Sequence, residues 1–149
     1  MIIAYKPKYF HIEEFIYPGL YNKYSHNENV LWGLLNPNML WTLDKIRERF
    51  NRSVVVNDWK WRQDGFTLRG LRPFDSNTGA YLSTHKFGLG VDFHISGIDS
   101  GVIREEIKKT FDKREEYKYI TCIEDLAGMS WVHIDFRNLQ GKRLLIVGK

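Results

Sequence analysis

Apolar side chains recur along this chain at two different periods, and the changes of period mark out its elements. After Asn36-Pro37, a helix-start pair, Leu40, Leu43, Ile46 and Phe50 follow at helical spacing until Asn51, which predicts an amphipathic helix over 37–50. The β-branched run Ser53-Val54-Val55-Val56 predicts a short buried strand. Over 88–95 the period is two. Val91, Phe93 and Ile95 fall on one side and Asp92 and His94 on the other, as in a half-buried strand with a polar face. Within 100–117, Val102, Ile103, Ile107 and Phe111 share a side and charges fill the rest, predicting a surface helix. Residues 119–123 and 131–137 read as two further strands around a loop at 124–130, and the tail 144–149 as a last apolar strand.

No such period organises the N-terminal arm, about residues 1–35. Residues 6–24 mix aromatic and polar side chains around Pro7, Pro18 and Gly19, so an irregular arm wrapping the core is expected, with a short turn at 11–15. The segment 60–82 reads as a long polar loop carrying Lys60, Arg62, Arg69 and Arg72. With no repeat or low-complexity stretch, the expectation is one α+β domain over 1–149, a small, mostly antiparallel sheet with flanking helices.

Composition narrows the classes. A chain of 149 residues with 43% hydrophobic and 27% charged residues suits a globular domain with a single core. Its 22 Lys and Arg against 18 Asp and Glu give +4, a balance that favours polyanionic neighbours. The basic residues are scattered among acids and form no stripe with interleaved aromatics, so no nucleic-acid partner is expected. Cys122 is the sole cysteine, which excludes an internal disulfide and every multi-cysteine metal motif; any metal must use His and carboxylate. No run approaches the ~20 apolar residues of a membrane span. The start MIIAYKPKYF lacks an export pattern, so a protein made in the cytoplasm is expected, with release to the cell wall or a place in a virion both open; a monomer is expected. Trp59, Trp61 and Trp131 read as core or as groove wall.

Candidate chemistry collects on the polar faces of two strands: Asp92 and His94 on one, His133, Asp135 and Arg137 on the other. His85 precedes Asp92 by seven positions, with Gly88 and Gly90 between them to let the backbone bend. If the strands are neighbours, His85, Asp92 and His133 form a two-histidine, one-carboxylate set, sufficient for a zinc ion with one position open for metal-assisted hydrolysis. The bland alternative is that these histidines are solvated or hydrogen-bonded on the sheet surface.

The literal strings favour the first reading. Ser83-Thr84-His85-Lys86-Phe87-Gly88-Leu89-Gly90-Val91-Asp92, followed by Trp131-Val132-His133-Ile134-Asp135, resembles the S-x-H-x-x-G-x-A-x-D and W-x-H signatures of the zinc D-Ala-D-Ala carboxypeptidase family. That family includes single-domain phage lysins and L-alanyl-D-glutamate peptidases and shares its fold with the Hedgehog signalling domain. The likeness extends more weakly over the YFHIEEF arm, the LDKIRERF helix and the VVVND strand.

The resemblance implies a zinc metallopeptidase (Zn2+ held by His85, Asp92 and His133) that hydrolyses D-amino-acid-containing peptides, with peptidoglycan stem peptides as substrate. Many members carry an acid three positions before the last histidine, where this chain has Ser130. Another arrangement puts the general base at the end of the preceding strand, where Glu124 stands, with Asp125 next and Asp135 third. Arg72 or Arg69 matches the segment bearing the substrate-gripping arginine, and Ser83 the motif serine near the substrate, though a turn-capping role suits Ser83 equally. Asp135 reads as a partner orienting His133 or pairing with Arg137. The Ser130 departure keeps open a second class, a non-catalytic, zinc-stabilised binding module.

Overall fold

The computed structural model describes residues 4–141 and 144–148. The first three residues of the arm, residues 142–143, and Lys149 at the end of the tail strand lie outside the described residues. Five strands, β1 (Val54–Val55), β2 (Gly90–Ile95), β3 (Cys122–Glu124), β4 (Val132–Asp135) and β5 (Leu145–Val147), form one sheet in the order β1-β2-β4-β3-β5. Three pairings are antiparallel, while β5 runs parallel to β3, so the fold is α+β and the sheet is mixed.

Helix α3 (Pro37–Phe50) forms where the periodicity placed it. The Asn36 side chain accepts hydrogen bonds from the amides of Asn38 and Met39, Pro37 occupies the first turn, where its missing N–H costs nothing, and Asn51 ends the helix at φ 48°. Its apolar face, with Met39, Leu40, Leu43 and Ile46, is buried in the core with Phe15, Phe93 and Ile123. Asp44 is buried on the same helix. Its carboxylate accepts from the Tyr5 hydroxyl and the amides of Lys8 and Tyr9, which pins the arm to α3.

The arm is more ordered than its composition suggests. Residues Ile12–Glu14 form the expected turn, but α1 (Pro18–Tyr24) and α2 (Glu28–Trp32) follow it. Pro18 begins α1, a position proline favours, and Leu20, Tyr21 and Tyr24 pack on the core. The helix expected over 100–117 stops at Thr110 in α4 (Ser100–Thr110), capped by Asp99, and Tyr117 reaches the core from a separate turn at Glu115–Tyr117. Val102, placed by periodicity on the apolar side, faces outward at 59% exposure. Arg104 takes a buried place instead, donating to the carbonyls of Met129 and Trp131 just before β4. No helix among the described residues is long and apolar enough to cross a membrane.

Strand β2 has no solvated face: only His94 among its residues is partly open. The loop before it folds across its polar side, with the Asp92 amide donating to the Arg69 carbonyl at 2.8 Å. That cover turns a half-buried strand into the floor of a site.

Candidate metal centre

The β2–β4 register sets Asp92 directly opposite His133. Their side chains leave the same face, and His133 Nδ1 lies 2.7 Å from Asp92 Oδ1. His85 arrives from a turn, Thr84–Phe87, that closes on Gly88 at φ 66°, a left-handed conformation that glycine adopts without strain. A Cβ at Gly88 would lie 1.9 Å from the Leu34 carbonyl, so the turn also requires glycine for space. His85 Nε2 then lies 3.3 Å from Asp92 Oδ1 and 3.2 Å from His133 Nδ1.

These three atoms form the metal-competent group among the described residues. Tetrahedral zinc with bonds of about 2.0–2.1 Å sets its ligand atoms roughly 3.3 Å apart, close to the separations found. Two imidazoles and one carboxylate are also the donor set of hydrolytic zinc sites. All three residues are buried, at 1% exposure for His85, 7% for Asp92 and 4% for His133. Burial alone would raise the Asp92 carboxyl, but hydrogen bonds with His133 and His85 override it and hold the group well below the ordinary carboxylate range.

A surrounding layer fixes each ligand. His85 Nδ1 faces the Gly70 carbonyl at 2.8 Å, which leaves Nε2 for the metal. His133 Nε2 faces Asp135 Oδ2 at 3.5 Å; Asp135 is fully buried, bonded by Arg137 through Nε and Nη2, and lies 3.4 Å from the Thr84 hydroxyl. Asp92 Oδ2 accepts from Arg72 Nη2 at 2.7 Å, which leaves Oδ1 as the oxygen that could hold a metal ion. Burial pulls His133 down, yet the bonds to Asp135 and Asp92 prevail and push it up to about 9.

The ligands open on a cleft of about 320 Å³. Arg72, Ser83, Glu124 and Arg137 line it with them, together with Leu82 and Trp131. Glu124, at the end of β3, is half-buried, and its carboxylate takes no hydrogen bond or ion pair from any described residue. Asp125, one position on, points the other way and pairs with Arg104 and Lys108 of α4, away from the cleft. Asp135 stands behind His133, as the strand pattern suggested, already committed to Arg137. Ser130 is exposed, and only its carbonyl is engaged, by the Ser100 hydroxyl.

The two arginines offered by the sequence part company. Arg72 reaches the cleft, but its Nε donates to the Leu68 carbonyl, its Nη1 lies 3.5 Å from the Thr78 carbonyl, and its Nη2 holds Asp92. Arg69 does not line the cleft; it stacks 3.4 Å over the Phe66 ring and meets His94 Nδ1 at 2.8 Å. His94 thereby belongs to that stack. Trp131 lines the cleft, Trp61 is exposed, and Trp59 is partly buried beside the Tyr21 ring, donating to the Glu13 and Ile16 carbonyls.

Two contributors had no sequence signal strong enough to find them. The Gly70 carbonyl is backbone, and the only hint is the glycine, whose Cβ would lie 2.2 Å from the Phe15 carbonyl. Thr84 sits beside His85 in the motif string but acts on Asp135, 51 residues away. Compared with known proteins, the chain matches no family model, no curated protein and no solved structure.

Proposed function

We propose that this chain is a zinc-dependent peptidase acting on peptides that contain D-amino acids, with peptidoglycan stem peptides as the substrate class. The observation that carries the reading is the convergence of His85 Nε2, Asp92 Oδ1 and His133 Nδ1 within 3.3 Å of one another at a cleft that Glu124 also lines. A structural metal site is closed by four protein ligands; this group offers three and faces open space, as hydrolytic sites do. Zinc, when bound, supplies a Lewis acid for the carbonyl and makes water a usable nucleophile at neutral pH.

The chain's own residues supply the rest. Glu124 Oε takes the proton from the attacking water and returns it to the leaving amine; its carboxylate takes no hydrogen bond or ion pair from any described residue, which suits a group that must accept and release a proton. Arg72 holds Asp92 in place, and Asp135 holds the His133 ring. Trp131 and Leu82 form the apolar wall against which a peptide lies. The choice of D-amino-acid peptides and of peptidoglycan rests on the resemblance of the two motif strings.

The test is digestion of purified peptidoglycan by zinc-loaded wild type and Glu124→Gln, with products identified by mass. Wild type is expected to release peptides whose masses name the bond, and Glu124→Gln to retain zinc and lose at least about a hundredfold in rate. Zinc binding by a wild type that cleaves no wall peptide would replace this reading with the non-catalytic binding module.

A further inference from the structure

We propose that Arg137, and not Arg72 or Arg69, is the cleft's anion-binding residue, and that its ligand is a carboxylate of the peptide substrate. The inference rests on the cleft being a peptide-hydrolysing site. A guanidinium binds a ligand only with donors that are aimed at open space and not already spent. Arg72 meets it poorly: its Nε, Nη1 and Nη2 each already face an acceptor, and with the side chain only 9% exposed the one N–H left on each terminal nitrogen has little open space before it. Arg69 is outside the cleft, stacked on Phe66.

Arg137 meets it. Its side chain is 37% exposed, and Asp135 engages Nε and Nη2 only, so Nη1 has no acceptor among the described residues. The same ion pair locks the guanidinium plane, so little side-chain freedom remains to be lost when a ligand binds. Arg137 also lies where the cleft meets a neighbouring groove lined by Lys118 and Asn138, both pockets sharing this one side chain.

Electrostatics selects the ligand. Arg72 already balances Asp92, but Glu124 lines the cleft without a hydrogen-bonded or ion-paired cation among the described residues, so a carboxylate entering with the substrate is favoured where a further cation receives it. Asp135 neutralises part of the Arg137 charge, but its carboxylate is fully buried, while the Arg137 side chain is 37% exposed and lines the cleft with Nη1 unspent among the described residues. A carboxylate near the scissile bond is therefore gripped at Nη1, on the side of the cleft bordering Lys118, while the peptide carbonyl faces the three ligands.

The experiment measures binding, not cleavage. N-acetyl-Ala-Ala and its C-terminal amide are titrated into zinc-loaded protein by calorimetry, for wild type, Arg137→Gln and Arg137→Lys. Glutamine keeps a donor for Asp135 without the charge. Wild type is expected to bind the acid at least about tenfold more tightly than the amide, as a charge-assisted hydrogen bond supplies. In Arg137→Gln the two should bind equally, and Arg137→Lys should restore part of the preference. A ratio near one in wild type, or a preference that survives in Arg137→Gln, overturns the proposal; metal-free wild type, where the preference should persist, keeps the test decisive if a variant fails to fold, and a preference that vanishes without zinc overturns it as well. Acid preference without any wall cleavage would remove the peptidase reading, and with it the description of the ligand as substrate, but leave Arg137 as the carboxylate-binding residue of the cleft. Cleavage without acid preference would do the reverse.

Discussion

Asp92 and His133 stand opposite one another in the β2–β4 ladder, with Oδ1 and Nδ1 2.7 Å apart, while the second Asp92 oxygen is held by Arg72. Sheet register thus delivers two of the three ligands, and the ion pair behind them is as buried as the ligands. Removing Asp92 leaves the largely buried Arg72 guanidinium without its hydrogen-bonded counter-charge, with only the more distant Glu124 acting on it. Asp92→Ala should therefore cost metal-free protein about 3–5 kcal/mol in urea unfolding, with part recovered in Asp92→Ala/Arg72→Met. A loss below about 1 kcal/mol would mean that the pair is hydrated and that Arg72 does not hold the carboxylate.

Asp135 is not one of the three candidate ligands, yet it backs His133 at 3.5 Å and is itself held by Arg137. Outer partners of this kind typically support metal affinity by about 10–100-fold. Asp135→Asn should weaken zinc by that range in a chelator competition, with cleavage recovering at high zinc. Unchanged affinity would remove Asp135 from the site.

Zinc requires a neutral His133 ring, whereas in metal-free protein its contacts to Asp135 and Asp92 prevail over burial and push it up to about 9. Each ion bound below that pH displaces a proton, so apparent zinc affinity should rise about tenfold per pH unit from about 7 and level off near 9. The fold responds with the opposite sign. A raised pKa contributes stability fully present below the unfolded value near 6.5 and lost as pH rises through about 9. Melting curves with chelator should fall across that window while the zinc-induced increment grows; an increment independent of pH would contradict the assignment of His133.

Gly88 turns the chain between His85 and β2 at φ 66°, with the Leu34 carbonyl where a Cβ would go. Gly88→Ala should cost at least about 2 kcal/mol, combining the left-handed penalty with displaced backbone. It should also weaken zinc, because His85 lies within the turn that Gly88 closes. A variant of wild-type stability would show that the turn has another accessible form.

Much of this was legible in the sequence, for identifiable reasons. Asn36-Pro37 and the spacing of Leu40, Leu43 and Ile46 gave α3 its bounds, because cap and periodicity agree there. Alternation put Asp92 on the polar face of β2 and His133 on that of β4, which is all that convergence needs once the strands pair. What the sequence concealed depends on contacts between distant segments. Nothing local distinguishes Arg72 from Arg69, and only the fold sends one to Asp92 and the other to Phe66 and His94. Glu124 and Asp125 are adjacent and alike, and their opposite directions at the strand end separate them. Asp44 looks like a surface acid on a helix, and its burial follows from Tyr5 and the amides of Lys8 and Tyr9, some 35 to 39 residues away. Helix α1 was hidden because Pro18 and Gly19 signal a break in isolation but are tolerated in a first turn.

The central claim is that His85, Asp92 and His133 hold one zinc ion through two nitrogens and one oxygen. Zinc K-edge X-ray absorption on protein loaded at one equivalent, with His133→Ala alongside, tests it most directly. The expected result is one tightly held ion per chain with nitrogen and oxygen neighbours at about 2.0–2.1 Å, an imidazole signature corresponding to two rings, and loss of tight binding in His133→Ala. A sulfur neighbour at about 2.3 Å, which would have to be Cys122, or no stoichiometric zinc in wild type, would contradict it.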